Sequence, residues 1–345
     1  MILPITTPFP PMEAQSVEEL PTGAGWQYEP KWDGFRCLAF RDGKAIQLQA
    51  KSGKPLGRYF PDVVALVAGL APKRFVLDGE IVVPAGDRLD FDALLQRIHP
   101  AASRVQKLAT ETPAFLVAFD LLVDEKGNSL VEAPLSARRR ALEAFAAAHL
   151  GGGAGIRLSP ATRSLTVARR WLTSPGGNLD GVIAKRLDAP YGAGERTAMQ
   201  KIKRYKSADC IVGGFRYSEG KPVVGSLLLG LYDDDGLLHH VGFTSGLKAA
   251  ERPALTQRLK ALIAPPGFTG RAPGGPSRWS TERSAEWEPL KPKLVVEVIY
   301  DHVSGGRFRH GTRLHRWRPD KAPAQCTLEQ ITGGGASFRK LLKAR

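Results

Sequence analysis

The 345-residue sequence predicts an α+β protein of two domains, a larger one of strands and helices followed by a small β-barrel. The length is the first indication, because a chain of this size exceeds one ordinary domain. The second indication is a change of pattern after Lys203. Before it, β-like runs alternate with helical stretches, and after it, β-runs and turns predominate. We therefore predict domains at residues 1–204 and 205–345.

The N-terminal domain is predicted to contain antiparallel sheets and several helices. The β-like runs lie at residues 45–49, 75–77 and 115–119, and the helical patterns at 61–70, 90–98, 136–149 and 165–171. The helix at 136–149 is the clearest, because Ser136 can start it and the glycines at 151–153 form a strong helix stop. Its basic run, Arg138 to Arg140, is expected to be a solvated face.

The C-terminal domain is predicted to be a five-stranded barrel, an OB-fold that carries one helix. The β-like runs cover residues 210–215, 226–232 and 294–300, and the helix covers 249–263. An acidic stretch that ends in glycine, residues 233–236, separates two runs and indicates a hairpin turn. The Pro/Gly-rich stretch 264–276 is interpreted as an internal loop, since strand patterns resume beyond it.

The composition is typical of a globular protein of the cytosol. Hydrophobic residues make up 43% and charged residues 24%, and no apolar run approaches the roughly 20 residues needed to cross a bilayer. The N-terminus lacks the basic and apolar regions of a signal peptide. Cys37, Cys210 and Cys326 lack paired ligand spacing, which argues against disulfides and a zinc site. We expect a cytoplasmic protein of the bacterial cytosol or nucleoid.

The charge balance indicates a polyanionic partner. A net charge of +15, from 49 basic and 34 acidic residues, makes nucleic acid the first candidate. The alternative is a basic surface with no such role. Binding to a membrane surface is not expected, because no basic amphipathic helix with aromatic anchors stands out.

The most informative segment is the hexapeptide Lys-Trp-Asp-Gly-Phe-Arg at residues 31–36. Alone it can be a hairpin turn with solvated flanks, because Asp-Gly tolerates positive φ. Further motifs follow in order: Asp-Gly-Glu at 78–80, Phe-Asp at 119–120, Asp-Gly-Val-Ile-Ala-Lys at 180–185 and Lys-Ile-Lys at 201–203. Taken singly, Asp-Gly-Glu can be a turn, Phe119 a core residue, and Lys201 and Lys203 solvated surface lysines. Together they are what a nucleotidyl-transfer pocket with a lysine nucleophile needs.

The chemistry of such a pocket requires an unprotonated amine. In this hypothesis Lys31 attacks the α-phosphorus of ATP, expels pyrophosphate and holds AMP as a phosphoramidate. A free lysine has a pKa near 10.4 and is mostly protonated at neutral pH. Crowding by Lys185, Lys201, Lys203 and a bound metal ion would disfavour the charged amine and neutralise the phosphate. Lys31, Lys185 and Lys201 are therefore the predicted catalytic residues.

These motifs resemble those of the covalent nucleotidyltransferase superfamily of DNA ligases, RNA ligases and mRNA capping enzymes. The likeness extends from Trp26 to the C-terminal tail. The chain looks most like an ATP-dependent DNA ligase of the stand-alone bacterial ligase C type. This resemblance implies an ATP-grasp-like adenylation (nucleotidyltransferase) domain followed by an OB-fold domain.

The resemblance implies a nucleotide-binding role for each matching residue. Lys31 is similar to the adenylated nucleophile, Glu29 to the residue near the adenine amino group, and Arg36 to the arginine that closes the pocket. Glu80 resembles the ribose-binding acid, and Phe119 resembles the aromatic residue that stacks on the base.

Phosphate contacts are implied for a set of lysines. Lys185 and Lys201 resemble the ligands of the α-phosphate, and Lys203 shares a strand face with Lys201. Lys51 stands where many ligases carry Arg in contact with the sugar or the nick phosphate. A lysine there keeps the charge but loses the bidentate fork.

The C-terminal segment and the metal site complete the implied set. Arg318, Asp320 and Lys321 match the family's Arg-x-Asp-Lys motif, which orients the pyrophosphate of ATP. They follow a segment of interleaved basic and aromatic residues, 307–317, that suits binding to a nucleic-acid backbone. Asp180, where the family usually has Glu, and Glu80 are the predicted ligands of Mg²⁺ or Mn²⁺.

The implied function is the sealing of 5′-phosphate/3′-hydroxyl nicks in duplex DNA, in DNA repair or recombination. Nicked double-stranded DNA is the expected partner of a monomeric protein, with a repair polymerase or an end-binding protein as further candidates and no membrane association. Three alternatives stay open: a GTP-dependent capping guanylyltransferase, an RNA ligase, and a catalytically silent OB-fold protein that binds nucleic acid.

Overall fold

A computed structural model describes residues 3–86, 88–151, 155–173, 179–274 and 286–332. These residues divide into two compact units, the first ending at Arg204 and the second beginning at Tyr205. We call them unit 1 and unit 2. Gly152, Gly153 and positions 275–276 of the predicted internal loop lie outside the described residues.

Unit 1 combines strands and helices, as predicted for an α+β domain. Its strands are β1 (Gln15–Ser16), β2 (Trp26–Trp32), β3 (Phe35–Asp42), β4 (Ala45–Ala50), β5 (Arg74–Val82), β6 (Pro84–Ala85), β7 (Arg88–Leu89), β8 (Phe115–Val123), β9 (Ile156–Leu158), β10 (Leu179–Arg186) and β11 (Met199–Lys203). Its helices are α1 (Pro61–Gly69), α2 (Phe91–Gln96), α3 (Ala102–Glu111), α4 (Leu135–His149) and α5 (Leu165–Thr173).

The strands of unit 1 form two main sheets. One sheet has the order β1-β11-β10-β2 and the other the order β4-β3-β5-β8-β9, while β6 and β7 pair separately. Pairing is antiparallel except between β1 and β11 and between β8 and β9. The expectation of antiparallel sheets is therefore confirmed for most of the pairings.

Strand β8 lies at the centre of unit 1, and each of its residues is buried. Phe115 and Val117 pack in a cluster with side chains of β2, β10 and α5. Leu116 and Ala118 pack in another cluster with side chains of α1 and α4. The alternation of a strand thus directs successive side chains into two different cores. This explains why the run Phe-Leu-Val-Ala-Phe is apolar throughout.

The segment between β2 and β3 passes from one sheet to the other. It is not the hairpin turn that the Asp-Gly pair alone would allow, because β2 and β3 belong to different sheets. Gly34 does not have positive φ. A Cβ atom at this position would lie 2.2 Å from the carbonyl oxygen of Ile81. Glycine is needed here because the chain crosses closely over β5.

The predicted helices of unit 1 are present, with α1, α4 and α5 within two residues of the expected bounds and α2 shorter. Helix α3 was not predicted, since Val105 is its one buried residue among those described. The expectation of a solvated arginine face on α4 is wrong for Arg138 and Arg139, which are buried, and right for Arg140. Their guanidinium groups have acidic partners, Asp120 for Arg138 and Glu143 for Arg139, which makes burial tolerable.

Unit 2 is dominated by one antiparallel sheet. Its strands are β12 (Lys206–Tyr217), β13 (Val224–Tyr232), β14 (Leu238–Thr244), β15 (Glu288–Pro289), β16 (Val295–Tyr300), β17 (Val303–Ser304), β18 (Arg307–Phe308) and β19 (Arg313–Trp317). Its α-helices are α6 (Arg252–Lys260) and α7 (Glu329–Thr332). The main sheet has the order β14-β13-β12-β16-β19, with β15 also paired to β12.

The sheet of unit 2 is compatible with the predicted OB-fold barrel, although over the described residues its ladder is open. An isolated bridge between Thr244 and Thr312 joins its two edges, and the Thr312 N–H donates to the Phe243 carbonyl at 3.0 Å. The predicted turn is present between β13 and β14, where Gly236 has φ of +74° and the Asp233 carboxylate accepts from backbone N–H groups. Helix α6 lies within the predicted helix 249–263.

The three cysteines are buried free thiols, with Cys37 in unit 1 and Cys210 and Cys326 in unit 2. In the part of the chain that the structure describes, none of the helices has the length and apolar character needed to span a bilayer.

Candidate active site

Lys31 lies near the end of β2 and pairs with a carboxylate from the neighbouring strand. Its Nζ contacts Oδ2 of Asp180, and the Lys31 backbone is opposite Gly181 of β10. The register shifts between Leu179 and Gly181, which leaves Asp180 as the extra residue of a β-bulge. Bulges change the direction of a side chain, and here the bulged residue contacts the lysine.

Gly181 makes this bulge possible. Its φ is +145°, and a Cβ atom there would lie 1.9 Å from the carbonyl oxygen of Ile202 on β11. A residue with a side chain would meet both backbone strain and a collision with the adjacent strand. The Asp-Gly pair of the motif at 180–185 thus has a structural cause: Gly181 permits the bulge and Asp180 projects from it.

The Lys31 amine opens onto a pocket formed by both sheets of unit 1. Tyr28 and Trp32 of β2 contribute to the core, while Glu29 and Lys31 alternate with them and line the pocket. The residues that line it are Pro11, Met12, Glu13, Ala14, Glu29, Pro30, Lys31, Trp32, Arg36, Lys51, Glu80, Phe119, Ile183, Lys185, Met199 and Lys201. Most of the residues predicted to bind the nucleotide therefore lie around one cavity.

Glu29 and Lys185 form a buried ion pair inside this pocket. Lys185 Nζ lies 2.9 Å from Glu29 Oε2, and the two side chains are 3% and 2% exposed. Gln27 donates to the other oxygen of Glu29 at 2.9 Å. Lys185 Nζ also lies 4.7 Å from the ring centroid of Phe119. The groups predicted to contact the adenine and the α-phosphate thus bind one another in this structure.

Phe119 is the bulged residue of β8. Asp120 is opposite Asp78 on β5 while Ala118 is opposite Gly79, so Phe119 has no partner in the ladder. Its ring lines the pocket and lies under the Arg36 guanidinium, with 4.6 Å between the guanidinium carbon and the ring centroid. Base stacking on this ring needs a flat apolar face, and in this structure the ring contacts cations.

Arg36 is anchored by a buried aspartate. Its Nε and Nη2 donate to the two oxygens of Asp78, each at 2.5 Å. Burial alone would lower the pKa of Arg36, but the Asp78 charge raises it above the usual range, so the guanidinium stays charged. The Tyr191 hydroxyl donates to Asp78 at 2.6 Å, and burial together with the Asp78 charge raises the pKa of Tyr191.

Glu80 lies beside Arg36 in the ladder between β5 and β3. The interpretation of residues 78–80 as a turn is wrong, because β5 continues through them. Gly79 is required by a close approach, since its Cβ would lie 2.6 Å from the carbonyl oxygen of Val117. Burial raises the pKa of Glu80 to about 7, against the opposing effect of the Arg36 and Lys31 charges.

Further cations surround the pocket. Lys201 of β11 lies opposite Ile183, and burial and the charges of Lys31 and Lys51 lower its pKa. Lys51 Nζ lies 3.2 Å from Glu13 Oε2, which also accepts from Arg196 at 2.9 Å. Lys203 lies opposite Gly181 on the same strand as Lys201 but is not among the described residues that line the pocket.

The predicted Arg-x-Asp-Lys residues cluster in unit 2. Arg318 donates to Asp320 and, at 2.8 Å, to Asp209 of β12. Lys321 Nζ lies 3.6 Å from the other oxygen of Asp209. The structure thus brings Arg318 and Lys321 to one carboxylate that the sequence did not single out, while Asp320 contacts Arg318.

The two predicted metal ligands fit a magnesium ion, although no group of three or more metal-binding side chains is found among the described residues. Asp180 contacts Lys31, and Glu80 lies within electrostatic reach of it. Mg²⁺ is commonly held by one or two carboxylates together with substrate phosphates and water. A bound cation would also favour the ionised form of Glu80. Asp180 and Glu80 supply two carboxylates of the kind that such a site uses.

Two family models match the sequence. One is described as "ATP dependent DNA ligase domain" and matches residues 11–203, and the other as "ATP dependent DNA ligase C terminal region" and matches residues 220–321. The two matches lie on either side of the boundary between unit 1 and unit 2.

Similar proteins span nearly the whole chain. DNA ligase C2 of Mycolicibacterium smegmatis is 45% identical, with 96% of each chain covered. DNA ligase C of Mycobacterium tuberculosis is 42% identical, again with 96% of each covered. The multifunctional non-homologous end joining protein LigD of Mycobacterium bovis is 32% identical over 88% of this chain and 37% of that protein.

Solved structures give the same fold. A structure from a study of Lig E DNA ligases has a TM-score of 0.52 at 15% identity, covering 89% of this chain and all of that chain. The structure titled Pmar-Lig_PreS3 has a TM-score of 0.57 at 18% identity, covering 85% of this chain and 64% of that chain. At these identities the likeness concerns the fold alone.

Proposed function

This chain belongs to the family of ATP-dependent DNA ligases, and from that premise we propose that it seals 5′-phosphate/3′-hydroxyl nicks in duplex DNA through a lysyl-AMP intermediate. The observation that carries the proposal is the position of Lys31, which pairs with Asp180 at a pocket that Lys185 and Lys201 also line. A lysine amine is a suitable covalent nucleophile, and the neighbouring cations attract the anionic phosphate of the substrate.

In the first step the Lys31 amine attacks the α-phosphorus of ATP. The N–P bond forms, the bond from phosphorus to the pyrophosphate oxygen breaks, and pyrophosphate leaves. Lys185 and Lys201 would stabilise the charge on the phosphate oxygens as it develops. Asp180 holds the Lys31 amine in place and is a nearby acceptor for its proton. Asp180 and Glu80 would hold Mg²⁺, which when bound offsets phosphate charge.

The next steps transfer AMP to the nick and close it. An oxygen of the 5′-phosphate attacks the phosphorus of lysyl-AMP, so the N–P bond breaks and the Lys31 amine is released. The 3′-hydroxyl then attacks the 5′-phosphate, the phosphodiester bond forms, and AMP leaves. Each step is an in-line phosphoryl transfer, in which positioning and charge neutralisation supply most of the catalysis.

The nucleotide is proposed to bind with its base near Glu29 and Phe119 and its ribose near Glu80. The buried Glu29–Lys185 pair would then open, so that Lys185 could contact the α-phosphate. Arg36 would close the pocket from its anchor on Asp78. Lys51, exposed at the same pocket, would contact the nick phosphate or sugar as a single charge.

We also propose a role in DNA repair in the cytosol, acting as a monomer on nicked DNA. The support is similarity to a relative whose printed name includes end joining, together with the net charge of +15. A repair polymerase or an end-binding protein is a candidate partner on the same grounds.

The nucleotide and the nucleic acid can be tested together. Wild-type protein, Lys31→Ala and the control Lys44→Ala would be incubated with labelled ATP or GTP and Mg²⁺, then with nicked DNA or nicked RNA duplexes. The control removes an exposed lysine outside the pocket. Label from ATP on wild type and Lys44→Ala, and sealing of nicked DNA, support the proposal. Label from GTP would favour a capping guanylyltransferase, and sealing of RNA only would favour an RNA ligase. DNA binding without labelling would favour a catalytically silent OB-fold protein that binds nucleic acid.

A further inference from the structure

Two carboxylates stand side by side in unit 2, next to the basic residues of the Arg-x-Asp-Lys motif. Asp209 of β12 and Glu297 of β16 are directly opposite each other in the sheet register. Asp209 Oδ1 accepts from Arg318 Nη1 at 2.8 Å, and its Oδ2 lies 3.6 Å from Lys321 Nζ. One carboxylate therefore contacts both basic residues of the motif.

The backbone of Asp209 is fixed on both sides. Gln330 accepts from the Asp209 N–H at 3.0 Å and donates to the Asp209 carbonyl at 3.1 Å. Strand β12 pairs with β16 throughout this stretch. The Arg318 N–H donates to the Val295 carbonyl at 2.9 Å, which attaches the arginine to the same sheet. Because both ends of the contact are held by the sheet, Asp209 can set the direction of the guanidinium.

Arg318 keeps donors for a further acceptor while it is held. Its Nε and Nη2 donate to Asp320, and its Nη1 donates to Asp209. A guanidinium has five N–H donors, so one on each terminal nitrogen is left by these contacts. Asp320 is 64% exposed and Asp209 13%, which makes Asp209 the better anchor. An arginine oriented in this way can donate two N–H bonds to the oxygens of a phosphate.

Glu297 has the same charge but a different partner. It accepts from Arg316 Nε at 2.7 Å and lies 3.8 Å from Arg318 Nη1, beyond hydrogen-bond distance. The two acids are therefore matched in charge and register and differ in which arginine they orient. Like charges directly opposite on neighbouring strands repel, so neutralising either acid is not expected to unfold unit 2.

We infer that Asp209 is a positioning residue for the adenylation of Lys31, because it holds Arg318 and Lys321 in the arrangement that receives the pyrophosphate of ATP. The inference rests on the proposed function, in which those two residues orient the leaving pyrophosphate. Asp209 itself forms no bond to substrate. Its effect is confined to the step that releases pyrophosphate, and closure of an already adenylated nick does not need it.

The test compares Asp209→Asn with Glu297→Gln in full-length protein. The first readout is the rate of Lys31 labelling as a function of ATP concentration. The second is single-turnover sealing of a nick that already carries AMP, with no ATP present. We expect Asp209→Asn to slow labelling by about tenfold or more, as for loss of a charged hydrogen bond, and to change sealing by less than about twofold. Glu297→Gln should keep labelling within about threefold of wild type.

Two further variants separate positioning from folding. Asp209→Glu keeps the carboxylate and should recover labelling in part. Asp209→Asn added to Arg318→Ala should slow labelling by a smaller factor than it does in wild type, because part of the effect of Asp209 passes through Arg318 and the rest through Lys321. Unfolding temperatures of all variants would be measured by circular dichroism.

The inference is overturned if Asp209→Asn labels as fast as wild type, matches Glu297→Gln, slows both steps equally, or adds its full effect to Arg318→Ala. A loss of folding in Asp209→Asn without rescue by Asp209→Glu would also overturn it. If wild-type protein itself takes no label from ATP, the proposed function fails and the inference fails with it. Normal labelling of wild type with an unaffected Asp209→Asn would reject the inference alone.

Discussion

Replacing Arg138 with alanine is expected to destabilise unit 1 strongly. Arg138 of α4 donates to both oxygens of Asp120 at 2.9 and 3.2 Å, and each side chain is 1% exposed. The guanidinium also donates to the carbonyls of Ala133 and Ala189 at 2.6 and 3.2 Å. The substitution removes these bonds and leaves the Asp120 carboxylate buried without its cation.

The size of the effect follows from that uncompensated charge. Breaking a buried ion pair from one side costs about 3–5 kcal/mol in the free energy of unfolding. For a domain of 150–250 residues, each kcal/mol lowers the unfolding temperature by about 2–4 °C. The expected decrease is therefore roughly 6–20 °C. A domain is stable by only about 5–15 kcal/mol, so much of its stability would be lost.

Thermal and urea unfolding, followed by circular dichroism, would measure the change. Arg140→Ala is the matched control, because Arg140 lies on the same helix and is exposed. We expect it to change the free energy of unfolding by no more than about 0.5 kcal/mol. The double variant Arg138→Met with Asp120→Leu should recover most of the stability, since neither charge is then buried alone. Equal effects of Arg138→Ala and Arg140→Ala would refute this reasoning.

Three other outcomes are expected. Gly181→Ala should abolish labelling by ATP and lower the unfolding temperature, because its Cβ would lie 1.9 Å from the Ile202 carbonyl oxygen. The control Gly25→Ala should do neither, because a Cβ atom at position 25 would have no neighbouring atom within 4 Å. Tyr191→Phe should raise the KM for ATP in the labelling assay about fivefold through loss of its bond to Asp78, and an unchanged KM would count against that support. The affinity for nicked duplex should fall as salt rises, with a slope in log units of about −0.9 per phosphate contacted; a flat response in a binding titration would contradict phosphate-dominated binding.

Many of the residues that line the pocket could be predicted from the sequence, because they lie in short motifs whose order resembles that of a known family. Lys31 lies on β2, Glu80 on β5, Phe119 on β8 and Lys185 on β10, and the fold brings these four residues to one cavity. The OB-fold interpretation followed from runs and turns after Lys203, and the sheet of unit 2 is compatible with it.

Other features of the site depend on contacts between distant parts of the chain. The bulges at Asp180 and Phe119 arise from strand register, which periodicity does not reveal. Asp78 stood inside a quoted motif, yet its partner Tyr191 lies 113 residues away and has no local signal. Asp209, 109 residues before Arg318, was missed for the same reason.

The solvated-face prediction for α4 failed because a run of arginines in a helix looks alike whether it faces water or buried acids. Asp120 sits in an apolar strand, and a buried carboxylate needs a cation. That requirement was the signal that could have identified Arg138 as its partner. Pairing buried acids with nearby basic runs is thus a useful step in interpreting such sequences.

The central claim is that Lys31 carries AMP from ATP to nicked DNA. It is tested most directly by digesting the ATP-treated protein without acid and locating the adduct by mass spectrometry, before and after a single-turnover chase with nicked duplex. We predict one AMP on the peptide that contains Lys31, its loss on adding the nick, and a matching amount of sealed strand. AMP on a different residue, or a Lys31 adduct that persists while the nick is sealed, would contradict the claim.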